Sequence, residues 1–175
     1  MSNIFSALDT KEVSRIQLHV EDNSKIVDGI VEGIISPYTK DLDAYIKFIA
    51  DCLKDGNNPP SDAELEDFCM NLSTYIYFAG GMCEQLGIRD DIAKAVYKET
   101  FNNARDGHNG TVQDKNSRAE LEAQQEQLVS ICYQRAYKTV KAKVENAQEL
   151  LSSCKKVLTR RMTEMELTKI SSFSN

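Results

Sequence analysis

The sequence predicts an all-α protein, a helical bundle with a long C-terminal helix that oligomerises through helix packing, and three observations carry that prediction. Residues 111–175 contain neither glycine nor proline. The whole chain of 175 residues holds 8 Gly, 3 Pro and no Trp, with many Ala, Leu, Glu, Lys and Gln, a composition that favours helix over strand. From Ala136 the apolar positions recur at Val140, Val144, Ala147, Leu151, Cys154, Leu158, Met162 and Met165. Their spacing is about 3.6 residues per step, the α-helical period.

The expected organisation is an acidic bundle of three to five helices over residues 1–110 and a long helix over 111–175, basic from about residue 132. Residues 1–8 are expected to fray. A first helix over about Asp9–Asp22 places Val13, Ile16 and Val20 on one face, and Asn23-Ser24 offers a break and a new cap. The next stretch carries Ile26, Ile30 and Ile34. Ser36-Pro37 is either a kink or a cap with proline at the first helical position; a new helix over Pro37–Asp55 is preferred, with Leu42, Tyr45, Ile46, Ile49 and Leu53 inward. Gly56-Asn57-Asn58-Pro59-Pro60 should end it.

Ser61-Asp62-Ala63-Glu64 reads as a capping box that opens the next helix. Its stripe is Leu65, Phe68, Leu72, Ile76, Ala79, Cys83 and Leu86, about 3.5 residues per step and close to a coiled-coil seam. Gly80-Gly81 either admits another helix or bends this one, and Gly87 is a natural C-cap. A further helix over Arg89–Arg105 places Ile92, Val96, Thr100 and Phe101 inward. The loop Asp106-Gly107-His108-Asn109-Gly110 follows, and Thr111 with Asp114 offers a second capping box at which the long helix starts. A helix of about 50 residues is roughly 75 Å long. A domain of this size does not cover that length alone, so the helix bends, breaks, or is covered by other subunits.

Charge divides the chain. Residues 1–131 hold 12 Lys+Arg against 23 Asp+Glu, net −11, and residues 132–175 hold 9 against 4, net +5, together the chain's −6. Such polarity fits a polyanion site on the basic part or acid-to-base contacts between helices or subunits. Five cysteines outside any C-x-x-C pair read as free buried thiols in a reducing compartment. The chain lacks a long uninterrupted apolar run, and its first residues lack a signal-peptide pattern, so a cytoplasmic protein with no membrane partner is expected. Phosphate-binding glycine loops, nucleophile elbows and metal-ligand spacings are absent from the sequence, so neither an enzyme nor a cofactor is expected.

Angular position sorts the cations of the long helix. Lys138 and Lys156 are five whole turns apart and align, with Lys141 and Arg160 within roughly 60° on either side and away from the apolar stripe. Glu145 and Glu149 project between them. Lys143 and Arg161 flank the stripe instead, where basic side chains cover a helix seam and meet acids on a partner. With Val144, Leu151, Leu158 and Met162 they form the candidate oligomer interface. Tyr137 lies at the margin of the stripe among cations, a position that suits either packing or stacking on a base.

The order of features in the second half resembles phage-type UvsY-like recombination mediators. These features are Gly110-Thr111-Val112, Arg118-Ala119-Glu120, Tyr-x-x-Ala-Tyr-Lys over residues 133–138, and Leu-x-x-Cys-Lys-x-x-Leu-x-x-Arg over residues 151–161. The similarity runs from about Ile88 to Leu167. It implies a small helical homo-oligomer that binds single-stranded DNA and helps load a RecA-like recombinase by displacing the single-strand-binding protein, in the host cytoplasm if phage-encoded. On that reading Lys138, Lys141, Lys156 and Arg160 hold phosphates and Tyr137 stacks on a base. The alternative is a helical adaptor or assembly protein that works through protein contacts alone, the same basic segment meeting the acidic body of a neighbour.

Overall fold

The computed structural model describes residues 10–54 and 59–173, with side chains described over 11–54 and 59–170. Four helices make up the described chain: α1 (Thr10–Lys54), α2 (Asp62–Gly107), α3 (Val112–Glu122) and α4 (Gln124–Phe173). The chain is all-α, as its composition and periodicity predict. The expectations for residues 1–8 and for Gly56-Asn57-Asn58 lie outside the described residues.

Two helix starts follow local hydrogen bonding. At α2 the Ser61 hydroxyl accepts from the Glu64 N–H at 3.3 Å while the Ser61 N–H donates to the Glu64 carboxylate at 2.7 Å. Thr111 and Asp114 repeat the arrangement at α3, with the Asp114 N–H donating to the threonine hydroxyl at 3.2 Å. Each box satisfies backbone donors that have no partner inside the helix. Gly110, just before the second box, sits at a φ of 136°, a conformation that side chains with a Cβ rarely adopt.

The expected helix count is corrected downward, because three predicted breaks are absorbed. α1 runs through Asn23-Ser24, whose side chains turn back onto their own helix: the Asn23 amide donates to the His19 carbonyl at 2.8 Å and the Ser24 hydroxyl to the Glu21 carbonyl at 2.9 Å. It also runs through Pro37, which in a helix interior costs about 3 kcal/mol. Val31 and Ile35 before the proline, with Thr39 and Leu42 after it, are all buried, so packing on both sides holds the helix across the missing N–H. α2 likewise continues through Gly87. A Cβ there would stand 3.4 Å from the Tyr137 ring, so this glycine seats an aromatic ring of α4 and is not a cap.

The long helix also departs from expectation. Its first cap is at Thr111, but Ala123 leaves helical geometry and separates α3, 11 residues, from α4, 50 residues. The hydrogen bonding carries across: the Ala123 N–H donates to the Ala119 carbonyl at 2.9 Å and the Gln127 N–H to the Ala123 carbonyl at 3.0 Å. Ala119 and Ala123 are both fully buried.

The helices pack antiparallel in sequence order, α2 against α1 and α4 against α2, around two linked apolar clusters. Leu42 and Ile49 of α1 meet Leu65, Phe68, Leu72 and Ile76 of α2 and Ala147 of α4, with Leu151 and Leu158 packed alongside. Further along, Val31 and Ile35 meet Leu86 of α2 and Cys132, Ala136 and Val140 of α4. Val144 joins the two. The predicted α2 stripe is the one used. Leu53, Ile92 and Val96, expected inside, are exposed, and so are Ile16 and Val20 of α1. On the far half of α2 the inward line runs through Asp90 and Ala93 instead.

All five cysteines are free, and burial pushes the Cys69, Cys83, Cys132 and Cys154 thiols up, away from the reactive thiolate. Among the described residues no helix is long and apolar enough to cross a membrane.

Candidate nucleic-acid interface

α4 gives the candidate cations their positions, because its seam side is consumed by packing against α1 and α2. Ala136, Val140, Ala147 and Cys154 are buried along that seam, and the opposite side of the helix faces solvent. Lys138, Lys141, Lys156 and Arg160 are all on the exposed side. Lys138 and Lys156 lie along one line about 27 Å apart, at 1.5 Å per residue. Among the described residues Lys138, Lys141 and Lys156 enter no ion pair. Arg160 does: its Nε donates to the Glu164 carboxylate at 2.8 Å, one turn on, with both side chains exposed.

The face between the two ends is mixed in charge. Glu145 and Glu149 stand midway, and with Gln148, Ser152, Ser153 and Lys156 they line a shallow depression. Phosphate contacts on this surface would therefore fall at two ends, around Lys138 with Lys141 and around Lys156, with two carboxylates between.

Tyr137 is displaced from the role of a stacking platform. It is half-buried, packs with Val31, Ile35 and Leu86, and lies against Gly87. A ring packed on the core between α2 and α4 has less surface left for stacking on a base.

Lys143 and Arg161 meet acids, as their flanking positions suggest, but the acids belong to the same chain. The Lys143 ammonium donates to Asp43 of α1. Arg161 donates to the Pro60 carbonyl at 2.6 Å and to the Asp62 carboxylate at 3.1 Å, tying α4 to the start of α2. Val144, Leu151 and Leu158 are likewise used inside the chain, packed on the clusters described above. Of the named interface set, Met162 remains exposed, beside Met165.

Sequence reasoning missed the acids Asp43 and Asp62 as partners, because the pairs are 100 and 99 residues apart and depend on the register between helices. It also missed a groove of about 430 Å³ lined by Arg89, Ile92 and Val96 of α2 and by Glu126, Val129 and Tyr133 of α4. Placing Ile92 and Val96 in the core concealed it. Compared with known proteins, the chain matches no family model, no curated protein and no solved structure.

Proposed function

We propose that this protein is a non-enzymatic recombination accessory factor that holds single-stranded DNA on the solvent side of α4 and works beside a RecA-like recombinase and its single-strand-binding protein. One observation supports that reading above the others: the fold divides the cations of α4 into two sets. Lys143 and Arg161 are neutralised inside the chain by Asp43 and Asp62, whereas Lys138, Lys141 and Lys156 are left exposed and, among the described residues, outside any ion pair. Cations in solvent release counterions when they meet phosphate, and cations already in a seam do not. Tyr137 drops out of the proposed site, and Arg160 contributes only by giving up Glu164.

Three lysines each neutralising one phosphate of a single strand give a slope of log affinity against log salt of about −2, at ~0.7 per phosphate. Fluorescence anisotropy with a labelled single-stranded oligonucleotide at several salt concentrations reads that slope. A Lys138→Glu/Lys156→Glu variant of unchanged helicity and mass should bind at least tenfold more weakly and show a shallower slope. Binding indifferent to the substitutions removes this site.

A second reading has its own observation. Glu145 and Glu149 interrupt the basic line, while Met70, Tyr77, Phe78 and Ile88 of α2 are exposed apolar side chains that no described residue covers. These features suit a helical adaptor acting through protein contacts without nucleic acid. Absence of any DNA binding at low salt favours that adaptor.

A further inference from the structure

Val13, Val31 and Ile49 of α1 are spaced 18 residues apart, five whole turns, so they lie on one line of the helix. Val20 falls within about 20° of that line. Ile49 and Val31 are buried on it, against α2 and α4. Val27 is the first residue of α1 to reach the core, and before it Ile16 is 54% and Val20 59% exposed, while Val13 is half-buried. The positions on this face, Val13, Ile16, Gln17, Val20, Ser24 and Val27, carry no charge. Lys11, Glu12, Arg15, Glu21, Asp22 and Lys25 all lie elsewhere around the helix. A face kept apolar and uncharged beyond the point where its own core ends is built for packing.

The seat that α1 occupies also continues past the point where α1 leaves it. Val31 packs with Leu86 and Ala136, and the groove begins one turn further on, between Arg89, Ile92 and Val96 of α2 and Glu126, Val129 and Tyr133 of α4. Ile92, Val96 and Val129 are 58%, 46% and 50% exposed. Lengths agree on the three helices. Val20 is 11 residues before Val31, Val96 is 10 after Leu86 and Glu126 is 10 before Ala136, each about 15 Å of helix. Over about two turns of each lining helix, the groove has the apolar lining to take the part of α1 around Ile16 and Val20.

We propose that the N-terminal half of α1 occupies this groove on a second copy of the chain, and that the second copy returns the same contact, giving a two-fold dimer. A second copy is the occupant because the exposed face and the open groove are both on this chain, and α1, one unbroken helix from Thr10 to Lys54 held across Asn23-Ser24 by its side-chain bonds, leaves Ile16 and Val20 exposed while its own groove stays open. Reciprocal exchange covers both exposed surfaces of both chains with one kind of contact. The contact is independent of the α4 cations and of whether DNA binds.

Light scattering on a sizing column across the micromolar range tests the exchange, with circular dichroism confirming helicity. Wild type should give the mass of two chains. Val20→Asp and Val129→Asp, at positions exposed in the single chain, should each give the mass of one chain with helicity kept. An equimolar mixture of the two variants should recover part of the dimer, because it pairs one intact helix with one intact groove. A one-chain mass for wild type, or a dimer that survives either substitution, overturns the proposal.

Discussion

Arg161 offers a direct test of whether the basic seam of α4 serves its own chain. Its guanidinium bonds the Pro60 carbonyl at 2.6 Å and the Asp62 carboxylate at 3.1 Å, with the arginine side chain 32% and the aspartate 37% exposed. Arg161→Met keeps the apolar stem against the bundle and removes both bonds. A hydrogen bond from a charged donor contributes about 1.5–3 kcal/mol, and an exposed ion pair about 0.2–1 kcal/mol. Because a third of each side chain faces water, both figures fall toward their lower ends, and a loss of about 1–2 kcal/mol is expected. For a chain of this length each kcal/mol moves the melting temperature by about 2–4 °C.

Urea unfolding of wild type, Arg161→Met, Asp62→Ala and the double variant gives the pairwise coupling. That coupling should be about 0.5 kcal/mol, smaller than the full effect of Arg161→Met, because the Pro60 carbonyl stays behind in every variant. An Arg161→Met chain as stable as wild type, with a changed oligomer mass, would refute the intrachain reading and return Arg161 to a subunit interface.

Two further outcomes follow from the fold. Gly87→Ala should be neutral to stabilising by up to about 1 kcal/mol, since helix propensity improves and the new methyl meets the Tyr137 ring at ordinary contact distance. Gly87→Leu should destabilise the chain by displacing that ring, measured by thermal melting. Hydrogen bonds from the Ser61 backbone and hydroxyl hold the Glu64 carboxyl below its ordinary value, and those from Thr111 do the same for Asp114. Their capping contribution is therefore full above the unfolded values and is lost as pH falls through the lowered folded ones. Protection of the amides at the starts of α2 and α3, measured against the intrinsic exchange rate at each pH, should fall as the pH is lowered through that window, and Glu64→Gln should remove that change in protection at α2.

What could be read in the sequence was what a few neighbouring residues decide. Both capping boxes were legible because serine or threonine and an acid three residues on bond each other whatever surrounds them. The inward stripes of α2 and α4 were legible because burial repeats with the helical period. Ser36-Pro37 and Gly87 misled because each is a local preference of at most a few kcal/mol, outweighed by the seam of Val31, Ile35, Leu42 and Leu86, and Asn23-Ser24 misled because both side chains bond back to carbonyls of their own helix. Of the candidate site, the exposure of Lys138, Lys141 and Lys156 followed from angle alone. The half-burial of Tyr137 did not, since it depends on the register of α4 against a stretch of α2 50 residues away.

The division of labour among the α4 cations also bears on the charge asymmetry of the chain. An acidic first part and a basic last part admitted two meanings, a polyanion site or internal acid-to-base contacts, and the fold uses the second for a definite subset. Asp43 and Asp62 neutralise Lys143 and Arg161, which lie within one helix turn of the buried stripe and draw α4 onto α1 and α2. Lys138, Lys141, Lys156 and Arg160 instead lie on the exposed side of α4. The acids beside them along the helix, Glu145, Glu149 and Glu164, are on α4 itself, so pairing with these cations is a matter of single helix turns and contributes only a few tenths of a kcal/mol. An incoming phosphate competes with such weak local pairs on easy terms. The same exchange at Lys143 or Arg161 would require the bundle to open.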